Sequence, residues 1–425
     1  MNLSSHGDPA RRRPAFWLLL FALVVLLSEG QSYLFELASR HLGSEPIRRR
    51  SGLLREQSQR IAIMLDSTRP VRDVVDSELG WRYRAGYSTT TDHLNSQDLR
   101  SRHDYDRLPK PGVLRIAAFG DSFVYGNEVS DDDAWCSLLE AGADDLEVLN
   151  YGVGGYGLDQ AFLRFQREGM ALSPDVVLVA FVPDDLRRML SVYPRFFSSL
   201  EWPLSKPRFV LRPDQTLALI PNPLPHREDL VRLMEHPTDV RALGRLDDWY
   251  PTAVYENPLY DKSASLRVEE AVWRRLRRRY FDRNRLFRGG VINEHSSAFA
   301  LQVALFRAFS EAARARGTIP IMLMLPDRSS VERIRRGAPP VYAPLEETLA
   351  RQGLTVWDGA DAFRPARVST DSLFAPFLHY SPLGNRVLAR WLARRLQALR
   401  ATDGPSLWQS RERRHSGPQR LTAAN

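Results

Sequence analysis

Two side chains in this 425-residue chain have the chemistry of a nucleophile and its base: Ser122, in Gly120-Asp121-Ser122, and His379, in Leu378-His379-Tyr380-Ser381. A serine hydroxyl attacks a carbonyl only when a neighbouring base takes its proton, and imidazole suits that transfer near neutral pH. A third segment, Asn150-Tyr151-Gly152-Val153-Gly154-Gly155-Tyr156-Gly157, is rich in glycine. Its backbone N–H groups can face a developing negative charge. A fourth, Pro183-Asp184-Asp185, sets two carboxylates side by side. Each has a plainer explanation when it stands alone. Gly-Asp-Ser is an ordinary helix cap, and paired aspartates cap helices as readily as they hold metals. A lone histidine is usually structural. Gly152, Gly154 and Gly157 also spell G-x-G-x-x-G, the dinucleotide-binding pattern. That pattern wants an acid for the ribose at the end of the next strand. Here Asp175 precedes that strand, and only Asp184 and Asp185, behind a proline, stand at its end, so a nucleotide site is disfavoured.

The elements around these residues read as alternating strand and helix from Val113 onward. LRIAAF is a buried strand ending at Phe119, DAWCSLLEAGA a helix, LEVLNYG a strand running into the glycine loop, LDQAFLRFQREGM a helix and PDVVLVAFV a strand. Apolar runs with so little polar interruption belong to parallel sheets covered on both faces. Residues 187–293, rich in proline, aromatics and arginine, break the rhythm and read as an insertion. Alternation then resumes through helix SSAFALQVALFRAFSEAARARG, strand TIPIMLML, helix YAPLEETLARQG, strand LTVWDGADAF and a last helix from Ser381. The whole is a doubly wound α/β sheet interrupted once. All four polar clusters fall at carboxyl ends of strands or at the entry to the last helix, where ligands of such sheets bind.

Taken together, GDSFVYG, NYGVGGYG, VPDD and HYSPLGNRVLA resemble the four blocks of the SGNH (GDSL-type) hydrolase family. The resemblance covers roughly residues 113–400 outside the insertion. It implies a flavodoxin-like three-layer α/β/α sandwich with a parallel sheet. It implies Ser122 as nucleophile and His379 as base. It also implies an oxyanion hole from the N–H groups of Ser122 and Gly155 and a side chain at the position of Asp184. Two positions depart from the family pattern. Asp184 stands where the family has an asparagine, and an ionised carboxylate accepts hydrogen bonds but cannot donate one to an oxyanion. It would serve only if burial or Asp185 kept it protonated. Pro376 stands where the family has the aspartate that orients the histidine. His379 then works either as part of a dyad or with another acid. Asp371 is the nearest in sequence, and Asp358 and Asp361 lie at the end of the preceding strand.

At the N-terminus, Ala15–Leu27 form an unbroken apolar run behind Arg11, Arg12 and Arg13. After SEGQS the apolar character returns at Tyr33, Leu34, Phe35 and Leu37. A cleaved signal peptide and a retained signal anchor both fit, and the continuation past SEGQS favours the anchor. The basic flank stays in the cytoplasm and the bulk is exported, periplasmic if the source is bacterial. The expected organisation is a basic flank (1–13), an anchor (14–37), a juxtamembrane connector with short strands (38–112), the first part of the α/β domain (113–186), the insertion (187–293), its second part (294–401) and a disordered tail (402–425). Formal net charge is +8, with arginines scattered over helix faces such as Arg274–Arg279 and no nucleic-acid module in view. The single cysteine, Cys136, rules out an internal disulfide and reads as a core residue.

The function expected is acyl-ester chemistry on an envelope glycan or lipid, as an esterase or an O-acyltransferase. The alternative is a catalytically impaired binding module of the same fold. No metal and no cofactor are expected, so titration with NAD or FAD followed by calorimetry should give no binding heat.

Overall fold

In the computed structural model the described residues are 9–39, 47–66, 68, 71–198, 201–277, 280, 286–365 and 367–416. They contain the strands β1 (Asp73–Asp76), β2 (Gly80–Tyr83), β3 (Leu114–Gly120), β4 (Leu146–Gly152), β5 (Val176–Phe181), β6 (Arg208–Leu211), β7 (Leu217–Ile220), β8 (Phe287–Arg288), β9 (Val291–Ile292), β10 (Ile319–Met324) and β11 (Val356–Asp358). Five of them form one parallel sheet in the order β11-β10-β5-β3-β4. Counted along the chain, this is the flavodoxin-like order 2-1-3-4-5. The remaining six pair as antiparallel ribbons, β1 with β2, β6 with β7 and β8 with β9.

Apart from Arg115 of β3, which pairs with Glu147 at 2.6 Å, the central strands are apolar because both faces are covered. On β3, Ala117 and Phe119 enter one core layer while Ile116 and Ala118 enter the other; on β5, Val177 and Val179 oppose Val176 and Leu178 in the same way. Helices Leu158–Glu168, Ser297–Ala315 and Ala343–Arg351 cover the first face through Phe162, Phe165, Phe306, Phe309 and Leu345. Helices Trp135–Glu140, Arg328–Arg335 and Pro382–Ser416 cover the second through Trp135, Val331, Leu388 and Trp391. Cys136 is buried in that second layer. The last helix continues to Ser416, past the expected boundary at 401, although Gly404 and Pro405 disfavour a helix interior. Residues 417–425 of the expected tail lie outside the described residues.

A third core joins the connector to the insertion. Leu54 and Ile61 of helix Arg50–Leu65, Trp81 and Tyr83 of β2, and Val192, Tyr193, Phe196, Leu230 and Tyr255 of the insertion pack together. The connector is therefore built into the folded body. A fully buried Lys206–Asp159 ion pair ties the insertion to the helix that follows the glycine loop. The N-terminal helix Pro9–Ser39 includes a stretch, Pro14–Ser39, long and apolar enough to cross a membrane, with mean hydropathy 1.8. Its far end docks on insertion helix Ala264–Leu276: Glu29 accepts the Ala264 N–H at 2.7 Å, and Glu36 pairs with buried Arg267 at 2.7 Å.

β2 also braces the glycine loop. The Tyr83 hydroxyl accepts the Gly154 N–H at 2.7 Å, Trp81 Nε1 donates to the Gly154 carbonyl at 3.0 Å, and the Tyr156 hydroxyl donates to the Trp81 carbonyl at 2.5 Å. Tyr83→Phe leaves the Gly154 amide buried without an acceptor. It should destabilise the protein by about 1–3 kcal/mol, read as a lower guanidinium midpoint with unchanged slope.

Candidate active site

β3 runs straight into the short helix Ser122–Tyr125, and Asp121 caps it by accepting the Phe123 N–H at 2.9 Å. The cap and the nucleophile position are thus the same turn, at the edge where the sheet order reverses on either side of β3. Gly152 at the end of β4 must be glycine, since a Cβ there would lie 2.2 Å from the Tyr125 nitrogen. The close approach of these two strand ends sets the glycine loop against Ser122.

The last-helix entry brings His379 to the same edge. Tyr380 is buried and donates its hydroxyl to the Pro326 carbonyl at 2.8 Å. Asn385 donates to the carbonyls of Tyr380 and Ser381 at 3.0 and 3.1 Å, and accepts the Trp135 N–H at 3.1 Å. This asparagine bolts the histidine loop to the element that follows the serine. His379 Nε2 lies 2.8 Å from Ser122 Oγ.

The other imidazole nitrogen, Nδ1, lies 2.5 Å from Oε2 of Glu128. The same carboxylate accepts the N–H of Phe377 at 2.7 Å and of His379 at 3.0 Å. An ionised carboxylate only accepts, so Nδ1 carries the proton of the neutral ring and Nε2 is left to receive the serine hydroxyl. The Glu128 side chain is 16% exposed. Burial alone would raise its carboxyl, but hydrogen bonds from His379 and Phe377 overcome this and hold it below the ordinary glutamic range. A carboxyl lowered in the folded state stabilises the fold above its ordinary titration and loses that contribution as pH falls through the lowered value. The contact persists through mildly acid conditions. Glu128 (φ +70°) and Leu378 (φ +104°) both hold left-handed backbone conformations that side chains rarely adopt, one on each loop of this junction.

Glu128 replaces the acids considered from sequence. Asp371 is 88% exposed and paired with Arg328, so it cannot orient the imidazole. Asp358 accepts from the Tyr342 hydroxyl at 2.6 Å, and Asp361 pairs with Arg364 at 3.2 Å. Glu128 gave no sequence signal: it lies six residues after Ser122 in a turn that also carries Asp131, Asp132 and Asp133. Only the approach of a distant loop singles it out.

Among the described residues the N–H groups of Ser122 and Gly155 have no acceptor, which leaves both available on the nucleophile's side. Gly155 sits at φ +78°, with Trp81 3.3 Å and Glu201 3.6 Å from the point where its Cβ would be. Asp184 meets neither condition for a protonated donor. Its side chain is 61% exposed and paired with Arg187 at 3.2 Å, while the buried carboxyl is that of Asp185. Burial, then the nearby Asp121, pushes Asp185 well above the carboxylate range, and Arg188 bridges both aspartates at 2.8 and 3.0 Å. Asn127 is an uncharged amide beside the nucleophile. Its Nδ2 lies 3.6 Å from where a Gly154 Cβ would be, a point 4.0 Å from Ser122 Cβ. As a dinucleotide cradle the glycine loop is compromised, because the Gly154 amide is spent on Tyr83 and the Gly157 amide faces Gln160 at 3.4 Å.

The site is that of an α/β protein carrying a Ser–His–Glu constellation at the switch point of its sheet. No family model matches the chain, and no curated protein does. Solved structures do. A lipase/acylhydrolase from Enterococcus faecalis is 15% identical over 67% of this chain and 96% of its own, with a TM-score of 0.33. A GDSL-like lipase from Bacteroides thetaiotaomicron VPI-5482 is 10% identical over 67% and 88%, with a TM-score of 0.31. A member of the lipolytic protein G-D-S-L family from Veillonella parvula DSM 2008 is 11% identical over 65% and 95%, with a TM-score of 0.30. Scores this low carry no functional weight, and the reading of the site rests on its own distances.

Glu128→Gln should lower kcat for p-nitrophenyl acetate hydrolysis by about 100- to 10,000-fold, because an amide no longer fixes the tautomer. Asp371→Asn should change it less than about twofold. Equal effects of the two substitutions would refute the assignment of Glu128.

Proposed function

We propose that the protein is a membrane-anchored serine ester hydrolase or O-acyltransferase of the SGNH type, acting outside the cytoplasm. The observation that carries this is the continuous line Ser122 Oγ, His379 Nε2, His379 Nδ1, Glu128. Ser122 Oγ attacks the ester carbonyl as its proton moves to Nε2. The Ser122 and Gly155 N–H groups receive the oxyanion, with Asn127 as the neutral amide beside them in place of Asp184. Collapse expels the alcohol, which takes the proton back from Nε2 and leaves an acyl ester on Ser122. Water, or a hydroxyl of an acceptor, then attacks that ester in the reverse sense, giving acid or transferred ester.

The anchor reading is supported by the contacts of Glu29 and Glu36 with the insertion, since cleavage after SEGQS would remove Glu29. The arginines before the apolar run favour a cytoplasmic N-terminus, which puts the folded body on the far side of the membrane. A binding module without catalysis is the second reading. The exposed carboxylate of Asp184 on the oxyanion side favours it.

A fluorophosphonate probe should label the wild-type protein and spare Ser122→Ala. Folded protein that resists labelling would overturn the catalytic reading in favour of the binding module.

A further inference from the structure

The insertion borders an open cleft of about 420 Å³, inside the range of roughly 300–1,000 Å³ usual for small-ligand sites. Its walls come from two parts of the insertion and from the turn after β5. Trp249 and Tyr250 lie on one side, Trp273 and Arg274 of helix Ala264–Leu276 on another, and Arg187 and Glu201 on the side nearest the sheet. Glu201 is shared with the active site, because its Oε2 lies 3.6 Å from the position a Gly155 Cβ would take. One lining residue of the cavity thus reaches the glycine loop at Gly155.

We infer that this cavity is a saccharide subsite, which seats the sugar part of the ester substrate or of the acyl acceptor. The inference rests on the hydrolase or transferase reading above and adds the class of substrate. Aliphatic acyl tails are held by dry apolar walls, whereas this wall carries the ion pairs Arg187–Asp184 and Arg274–Glu270, which a hydrocarbon would desolvate without offering them a hydrogen bond. A sugar ring has an apolar C–H face that stacks on an aromatic ring and a rim of hydroxyls that pair with charged groups. Both kinds of partner are present. Tyr250 stacks on Tyr255 at 5.6 Å between ring centres, and Trp249 is fixed by donating Nε1 to the Arg187 carbonyl at 3.0 Å, so these rings are held rather than loose. Trp273 is 53% exposed, an unusual display for an indole on a folded surface. The helix bearing it is the one on which the anchor docks through Glu29 and Glu36, so the subsite stands at a set place relative to the membrane helix.

The test uses the full chain in a detergent without sugar headgroups. Initial rates are measured on β-D-glucose pentaacetate and on p-nitrophenyl acetate, for wild type, Trp273→Ala and Trp249→Phe. Loss of a sugar platform should lower the ratio of the two kcat/KM values about tenfold in Trp273→Ala. Trp249→Phe keeps an aromatic ring and should lower it less. An unchanged ratio in Trp273→Ala overturns the inference. So does a larger effect of Trp273→Ala on p-nitrophenyl decanoate than on the sugar ester, which would assign the cavity to acyl chains. Binding is read independently of catalysis by saturation-transfer NMR of cellotetraose on Ser122→Ala. Ring-proton signals that disappear when Trp273→Ala is added support the subsite even if no ester is turned over. Signals absent, or unaffected by Trp273→Ala, overturn it even if esters are hydrolysed.

Discussion

His379 is gripped at both nitrogens, and each grip belongs to a different piece of the chain. Nε2 meets Ser122 at the end of β3, while Nδ1 meets Glu128 on the loop beyond the short helix that Ser122 begins. Because Glu128 also accepts the backbone N–H groups of Phe377 and His379, one carboxylate sets both the ring's tautomer and the path of the loop that carries it. A side chain bound only through its ring could swivel; bound through its own main chain as well, it cannot leave without breaking three hydrogen bonds together. The unusual backbone angles at Glu128 and Leu378 fall at this junction, where local strain is offset by the contacts it makes possible.

Around that junction the molecule is arranged in shells of decreasing regularity. The parallel sheet supplies fixed strand ends. The ribbon β1–β2, which follows helix Arg50–Leu65, supports the glycine loop through Trp81, Tyr83 and Tyr156. The insertion places Glu201 and Trp202 near Gly155. Two buried ion pairs, Lys206–Asp159 and Arg267–Glu36, fasten the insertion to the sheet domain and to the apolar N-terminal helix. Such pairs contribute little net stability compared with apolar packing, but losing one partner strands a buried charge, so they specify where the parts must sit.

The charge pattern beside the nucleophile is also unusual for an oxyanion site. Asp121, Asp185, Asp184 and Glu201 gather there around Arg188, whose guanidinium reaches the first two. Burial, then Asp121, raises the Asp185 carboxyl, while Arg188 pulls it the other way. The N–H groups of Ser122 and Gly155, which meet no acceptor among the described residues, stand beside this cluster.

Much of this was legible in the chain itself. Strands that are nearly all apolar imply a parallel sheet, because only strands covered on both faces can dispense with polar alternation. Ser122, His379 and the glycine-rich segment 150–157 stood out as residues whose types fit one chemistry at positions the sheet could bring together, and the family resemblance picked Gly155 from that segment. The apolar N-terminal helix was equally plain from composition. Tertiary structure alone decided the rest. Glu128 could not be told from the acids around it, and Asp371, nearer to the histidine in sequence, turned outward to Arg328. Asp184 lost its candidate role to solvent, and a connector of short strands became the brace of the glycine loop. The reason is physical: periodicity and turn chemistry are local and leave their mark in the sequence. Which carboxylate faces an imidazole depends on the meeting of two loops far apart along the chain, and no local pattern records that meeting.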